Sequence, residues 1–167
     1  FLRYHGCSAG LVQHRNIMNN KDKYIETFEV LLQNELNQVQ KDWLSNARQK
    51  ITNCGDLEKA TEQLLISSAM AQRKLGKQEV NHNLDKRKWT AGQVGRLLLL
   101  STLKGKVKHN AWSEILTSVY HCADENEKIA IVQSLSLLSE GDELTQIALN
   151  AGRTNDVNLF AALSQNN

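Results

Sequence analysis

The chain has 167 residues and a formal net charge of +2, and 41% of its residues are hydrophobic. It contains no proline and only nine glycines, although about 5% proline is usual in proteins. Sandwiches, barrels and other turn-rich folds use proline heavily in their turns, so we expect none of these classes. No apolar run reaches the roughly 18 residues that a membrane-spanning helix requires, so we expect no transmembrane segment.

The segment before Met18 shows no clear helical period, whereas a helical pattern starts directly after it. Met18 also resembles the natural start of a bacterial protein. We therefore predict that residues 1–17 are a non-native or disordered leader and that residues 18–167 form a single helical domain. The leader does not resemble a secretory signal, because Arg3 and His5 interrupt its apolar residues.

The predicted helices are defined by apolar side chains that recur every three or four positions. In chain order, their stripes begin with Tyr24 and Phe28, Val39 and Trp43, Leu57 and Ala60, Val94 and Leu97, Trp112 and Ile115, Ile129 and Val132, Leu144 and Ile147, and Val157 and Phe160. Short connections between helices of 10 to 16 residues indicate antiparallel neighbours. The sequence therefore predicts an all-α fold of about eight helices, an antiparallel helical-hairpin stack of HEAT or armadillo type.

Capping residues indicate where several of these helices begin and end. Asp56 is positioned to cap the third helix, and Gly76 follows its last apolar residue, where a C-terminal glycine is common. Asn110 is the predicted cap of the fifth helix. Asp124 and Glu127 have the spacing of a capping box before the sixth.

The fourth helix has the clearest predicted start. Thr90 and Gln93 have capping-box spacing, and Trp89 and Val94 are placed to form the accompanying hydrophobic staple. The four leucines that follow make this helix apolar all round. We therefore expect the core to be built around residues 94–103 together with the helix over residues 129–138.

No motif in the chain predicts catalysis, a metal or a cofactor. Phosphate-loop, dinucleotide-binding, zinc-protease and paired-cysteine motifs are absent from the sequence. Three widely spaced cysteines fit neither a disulfide framework nor a zinc site, and they indicate thiols in a reducing compartment, the cytoplasm. His121, Cys122 and Asp124 could be read as a nucleophile with its base, but a histidine that complements the helix dipole is the commoner arrangement.

Charge is unevenly distributed, since residues 73–108 carry a net charge of +8 and residues 109–167 a net charge of −6. A basic segment can bind nucleic acid, anionic lipid or a phosphorylated ligand. No aromatic platform for base stacking interleaves with these lysines. We therefore favour a solvated segment, or one lying across the acidic half of the chain, over nucleic-acid binding.

Two arginines are the candidate ligand-binding residues, together with Asn155. Arg96 lies inside an apolar helix, where an unpaired guanidinium is costly to bury. Arg153 lies at a turn between two apolar stripes, where Thr154 or Asn155 is placed to cap the last helix. We expect at least one arginine to be mostly buried and bonded to carboxylates or backbone carbonyls of the protein. The alternative is that both bind an anionic ligand.

The distribution of these residues resembles the EboA-domain family of bacterial proteins. The matching stretches are Trp43-Leu44, Arg73–Lys77, Trp89–Leu100, Tyr120–Glu127, Leu135–Leu138 and Arg153–Asn155, followed by Phe160 and the pair Asn166-Asn167. The chain departs from the family pattern at Ser136, where a proline is usual near the paired leucines. It also stops at Asn167, before a Pro-Tyr-Pro motif, so we expect the C-terminal part of the family domain to be missing.

The resemblance implies an all-helical protein encoded with genes for an isoprenoid-type or cyclitol-type secondary metabolite, or for export of its precursor. It implies no catalytic activity. We therefore expect a non-catalytic accessory or scaffold protein whose partners are proteins of the same machinery. The alternative is a binder, or an enzyme, for an anionic small molecule such as a phosphorylated metabolite, held by Arg96 and Arg153.

Overall fold

The computed structural model describes residues 8–84, 86–138, 145–153 and 156–164. These residues form eight helices and, within those ranges, no β-strand. In chain order the helices are α1 (Ser8–Glu35), α2 (Gln38–Asn53), α3 (Leu57–Leu75), α4 (Ala91–Lys104), α5 (His109–Cys122), α6 (Glu125–Leu138), α7 (Thr145–Gly152) and α8 (Val157–Ser164). The predicted all-α fold and its eight helices are confirmed.

Helix α1 begins earlier than the sequence pattern predicts. Its backbone is helical from Ser8, so the helix includes part of the segment 1–17 that we set aside as a leader. No proline lies between Ser8 and Lys21 to stop the helix from extending in this direction. Residues 1–7 lie outside the described residues.

Helix α4 is at the centre of the fold. It packs against α1, α2, α3 and α6, while α6 also contacts α1 and α8. Leu97, Leu98 and Leu99 of α4 are completely buried, and so is Val132 of α6. The prediction that these two helices build the core is confirmed.

Two glycines allow α3 and α4 to pack unusually closely. A Cβ atom at Gly92 would lie 2.9 Å from the Cα of Gln72, and one at Gly95 would lie 2.1 Å from the Cδ1 of Leu75. At Gly92 the obstacle is the backbone, so a larger side chain would require α3 to move, whereas at Gly95 the side chain of Leu75 would have to shift. Arg96 follows Gly95 directly and therefore lies beside this close contact.

Three of the predicted caps are confirmed. Thr90 Oγ1 accepts a hydrogen bond from the N–H of Gln93 at 3.3 Å, and Gln93 Oε1 accepts one from the N–H of Thr90 at 2.8 Å. Asp124 and Glu127 exchange the corresponding bonds at 2.8 and 3.0 Å. Asp56 accepts from the N–H of residue 59 at 2.8 Å. Each bond satisfies a backbone donor that the first helical turn leaves unpaired.

The C-terminal glycine of α3 is also confirmed. Gly76 follows the helix with a φ of 101°, a left-handed conformation that glycine adopts without steric cost. Its N–H donates to the carbonyl of Gln72 at 3.0 Å. This turn directs the chain into the connection that leads to α4.

Two predicted caps are corrected. The N–H of Ala111 donates to the carbonyl of Lys108 at 2.9 Å, so α5 starts at His109 and Asn110 lies within the helix. At the last helix, Asp156 Oδ1 accepts from the N–H groups of Asn158 and Leu159. Asp156 therefore caps α8, in place of the predicted Thr154 or Asn155, which lie outside the described residues.

The basic connection between α3 and α4 is hydrogen-bonded to α1 and α6. Arg87 is buried, and its Nη1 donates to the carbonyl of Gln133 at 2.7 Å and to Ser136 Oγ at 2.9 Å. The hydroxyl of Tyr24 donates to the carbonyl of Leu84 at 3.0 Å. This segment therefore lies across α6, where two of the acceptors of Arg87 are a backbone carbonyl and a hydroxyl oxygen.

Candidate functional site

Arg96 is a buried residue of the α3–α4 contact. Only 3% of it is exposed, and its Nε donates to the backbone carbonyl of Ser68 in α3 at 3.1 Å. This confirms the expectation that at least one of the two arginines is buried and bonded to the protein. The acceptor is a backbone carbonyl, one of the groups expected for this role.

The charge of Arg96 is balanced from the start of α6. Burial lowers the pKa of its guanidinium, because desolvation disfavours the charged form. The carboxylates of Glu127 and Asp124 act in the opposite direction and favour the cation. Arg96 therefore has partners of its own within the fold, and it contributes to the packing of α3, α4 and α6.

Arg153 lies in a different environment, at the end of α7. Its side chain is exposed, and its backbone N–H donates to the carbonyls of Leu149 and Asn150 at 3.2 and 3.3 Å. The third predicted ligand residue, Asn155, lies outside the described residues. Of the predicted site residues, only Arg153 faces an open space in the described part of the structure.

We refer to this space as the Arg153 cleft. It has a volume of about 550 Å³ and lies where the ends of four helices meet. The end of α5, the start of α6, the end of α7 and the start of α8 contribute its lining residues, which are Tyr120, His121, Glu125, Lys128, Asn150, Arg153, Asp156 and Leu159. Arg96 is not among them, so the two arginines do not converge on one ligand.

Two carboxyl groups in the cleft interact directly. Asp156 accepts from the N–H groups of Leu159 at 3.2 Å and Asn158 at 2.8 Å, and these bonds hold its pKa below the ordinary value. Glu125 shares a hydrogen bond with Asp156, and this bond and the charge of Asp156 raise the pKa of Glu125. Of the two carboxyl groups, Glu125 therefore binds a proton more readily than Asp156 does.

Cationic and aromatic groups also line the cleft. The Nζ of Lys128 lies 5.5 Å from the ring centroid of Tyr120, a cation–π distance, and the His121 ring packs edge-on to the same phenol. Burial raises the pKa of Tyr120, and the charge of Asp156 adds to this effect. The phenol is therefore a neutral hydrogen-bonding group at ordinary pH.

The cleft combines cations and carboxylates and so suits recognition of a partner with mixed charge.

His121 was considered in the sequence together with Cys122 and Asp124, but the carboxylate of Asp124 accepts from the N–H of Glu127. It is therefore already engaged as a helix cap. Within the described ranges, no group of three His, Cys, Asp or Glu side chains is arranged to hold a metal ion.

Sequence reasoning did not single out Tyr120, Lys128 or Glu125 as site residues. Each lies within one turn of a predicted helix end, and Tyr120 and Glu125 also lie in a stretch that matches the family pattern. Tertiary packing decides which helix ends lie together. The sequence alone therefore does not show which of these residues share a site.

The described residues define a helical fold with an open, mixed-charge surface site. The model of the family described as Metabolite traffic protein EboA matches residues 24–167. The chain therefore belongs to the EboA family, as the resemblance implied, and has a role in metabolite handling. No match is found among curated proteins or solved structures. In the described part of the chain, none of the helices has the length and apolarity needed to cross a bilayer.

Proposed function

We propose that the chain is a non-catalytic accessory or scaffold protein of metabolite traffic. It acts in a bacterial system that makes a secondary metabolite of isoprenoid or cyclitol type, or exports its precursor, and it binds other proteins of that system in the cytoplasm. The observation that carries the proposal is the surface formed by α7 and α8 around the Arg153 cleft. Family membership supports the setting.

This surface combines apolar and charged side chains in the manner of a protein interface. Val157 and Phe160 lie one helical turn apart on α8 and are 78% and 55% exposed, and Leu149 of α7 is 48% exposed. Arg153 and Asp156 of the adjacent cleft supply the charges. Exposed apolar groups bordered by polar ones mark sites where proteins bind one another.

Co-purification with the proteins encoded beside its gene tests this proposal. The tagged chain should retain at least one of them, and a Val157→Asp, Phe160→Asp double variant should lose it. Val39 of α2, which is 78% exposed, provides a matched control in Val39→Asp. Loss of the partner in the control alone, or retention in the double variant, would contradict the proposal.

A second candidate is the binding of an anionic small molecule in the cleft. Arg153 and Lys128 line the same space and present cationic groups to it, and the imidazole of His121 adds a polar ring. The buried Arg96 has no part in this version, unlike in the sequence-based hypothesis. Calorimetric titration with inorganic pyrophosphate tests it. The heat of pyrophosphate binding should disappear in Arg153→Ala and persist in the control variant Lys50→Ala. Equal heats of binding in the two variants would exclude this candidate.

A further inference from the structure

A second hollow lies far along the chain from the Arg153 cleft, between α2 and α3. It has a volume of about 940 Å³ and is open to solvent, since most of its lining residues are exposed. The second half of α2 and the first half of α3 form its walls. We refer to it as the Trp43 groove, because Trp43 is the aromatic residue in its lining.

Trp43 differs from the other two tryptophans of the chain. Trp89 and Trp112 are completely or almost completely buried in the core, whereas Trp43 is half-buried and faces the groove. Its indole N–H makes no hydrogen bond to the described part of the protein and is not enclosed by it. The groove therefore contains an accessible aromatic surface and an unused donor.

Carboxamides make up most of the polar lining. Asn46, Gln49, Asn53 and Gln63 all border the groove, and none of their side chains is hydrogen-bonded to another described residue. Each carboxamide offers two N–H donors and one carbonyl acceptor. Four such groups beside one indole can both donate to and accept from the same ligand at several points.

The charged groups of the groove are close to balanced. Lys59 forms an ion pair with Asp56 at 3.1 Å, which leaves Lys50 and Glu62 as one cation and one anion in the lining. No arginine lines the groove. This lining does not supply the concentrated positive charge that phosphate recognition requires, so it suits a neutral ligand.

We propose that the Trp43 groove binds a neutral pyranose sugar. The C–H face of a pyranose ring is apolar and can pack on the indole, while its hydroxyl groups both donate and accept hydrogen bonds. Free carboxamides match hydroxyls because they also have both functions. The proposal does not depend on the α7–α8 surface, which is formed by other helices.

Intrinsic fluorescence tests the proposal directly, because Trp43 is the one tryptophan whose surroundings a ligand in the groove would change. Glucose, galactose and N-acetylglucosamine are titrated into the full chain, with adenosine and inorganic phosphate as comparison ligands. We expect a saturable spectral shift with at least one sugar and none with phosphate. No saturable response to any of the three sugars, or a response to adenosine alone, would overturn the proposal.

Variants then locate the binding, which is measured by calorimetry so that loss of a tryptophan does not remove the signal. Asn46→Ala and Gln49→Ala change exposed side chains and should each weaken sugar binding by about tenfold, a difference of about 1.4 kcal/mol. Asn34→Ala changes an exposed carboxamide on α1 and should leave the affinity unchanged. Equal weakening in all three variants would place the sugar elsewhere and overturn the assignment.

Discussion

Arg96 Nε donates a hydrogen bond to the backbone carbonyl of Ser68 across 3.1 Å, joining the buried faces of α4 and α3. The two residues are 28 positions apart in the chain. Gly92 and Gly95 lie on the same helix as Arg96, at positions where α3 and α4 approach closely. Arg96, which the sequence offered as a candidate ligand-binding residue, therefore belongs to the interior of the fold.

Replacement of Arg96 tests this structural role. Arg96→Ala removes the bond and most of the packing volume, so we expect a loss of about 2–4 kcal/mol in the free energy of unfolding. Arg96→Met keeps an unbranched side chain of similar length and should cost about 1 kcal/mol less. Urea denaturation of both variants measures the difference. If both variants had the same free energy of unfolding as the unchanged protein, Arg96 would not pack between the helices as described.

Alanine at the glycines of α4 should separate the two close-packed helices. Gly92→Ala brings a Cβ to 2.9 Å from the backbone of Gln72, which cannot move without shifting α3. We expect a loss of about 1–3 kcal/mol, the usual cost of overpacking. Gly55→Ala is the control, because nothing lies within 4 Å of a Cβ at that position. Thermal midpoints of the two variants should differ clearly, and matching midpoints would refute the close contact.

The centre of the core can be tested at α4 and α6. Leu98→Ala and Val132→Ala each shorten a completely buried side chain. We expect losses of about 2–4 kcal/mol, with valine at the low end because fewer atoms are removed. Chemical denaturation gives both values. If neither variant shifts its denaturation midpoint, the two helices cannot be central.

The capping box of α4 predicts a graded response at Thr90. Thr90→Ala removes the oxygen that accepts from the N–H of Gln93, at a cost of about 1 kcal/mol. Thr90→Ser keeps that oxygen and should cost little. The difference in unfolding free energy between the two variants is the measurement. A serine variant as unstable as the alanine variant would argue against a role for the hydroxyl.

The cap of α3 predicts a dependence of stability on pH. The backbone N–H of Lys59, and then its side chain, lower the pKa of Asp56 below 3.8. The folded state therefore binds this proton less tightly than the unfolded state does. The stabilisation is present above pH 3.8 and is lost as the pH falls through the lower pKa of the folded state.

Asp56→Asn keeps a capping oxygen without a carboxyl group, so its stability should fall less on acidification than that of the unchanged protein. Thermal denaturation at a series of acidic pH values measures this. Lys59→Met removes the ammonium but keeps the backbone donor, which is the larger cause. It should therefore retain most of the pH dependence. Identical acid profiles for Asp56→Asn and the unchanged protein would contradict the assignment.

The sequence by itself determined the features that depend on neighbours within one or two helical turns. Apolar periodicity predicted eight helices, and the capping boxes of α4 and α6 were predicted from residues three positions apart. Such contacts follow from local backbone geometry, so a short stretch of chain is sufficient to specify them. The distributed residue pattern also identified the family over residues 24–167.

Tertiary structure alone decided which distant partners the arginine side chains contact. Arg87 finds its acceptor, the carbonyl of Gln133, 46 positions away, and the Arg153 cleft assembles from four helix ends. Asn110 was wrongly predicted as a cap because the turn after α4 starts the next helix earlier. A long polar side chain has many conformations and few local constraints. Its partner is therefore chosen by the packing of helices whose contacts lie far apart in the sequence.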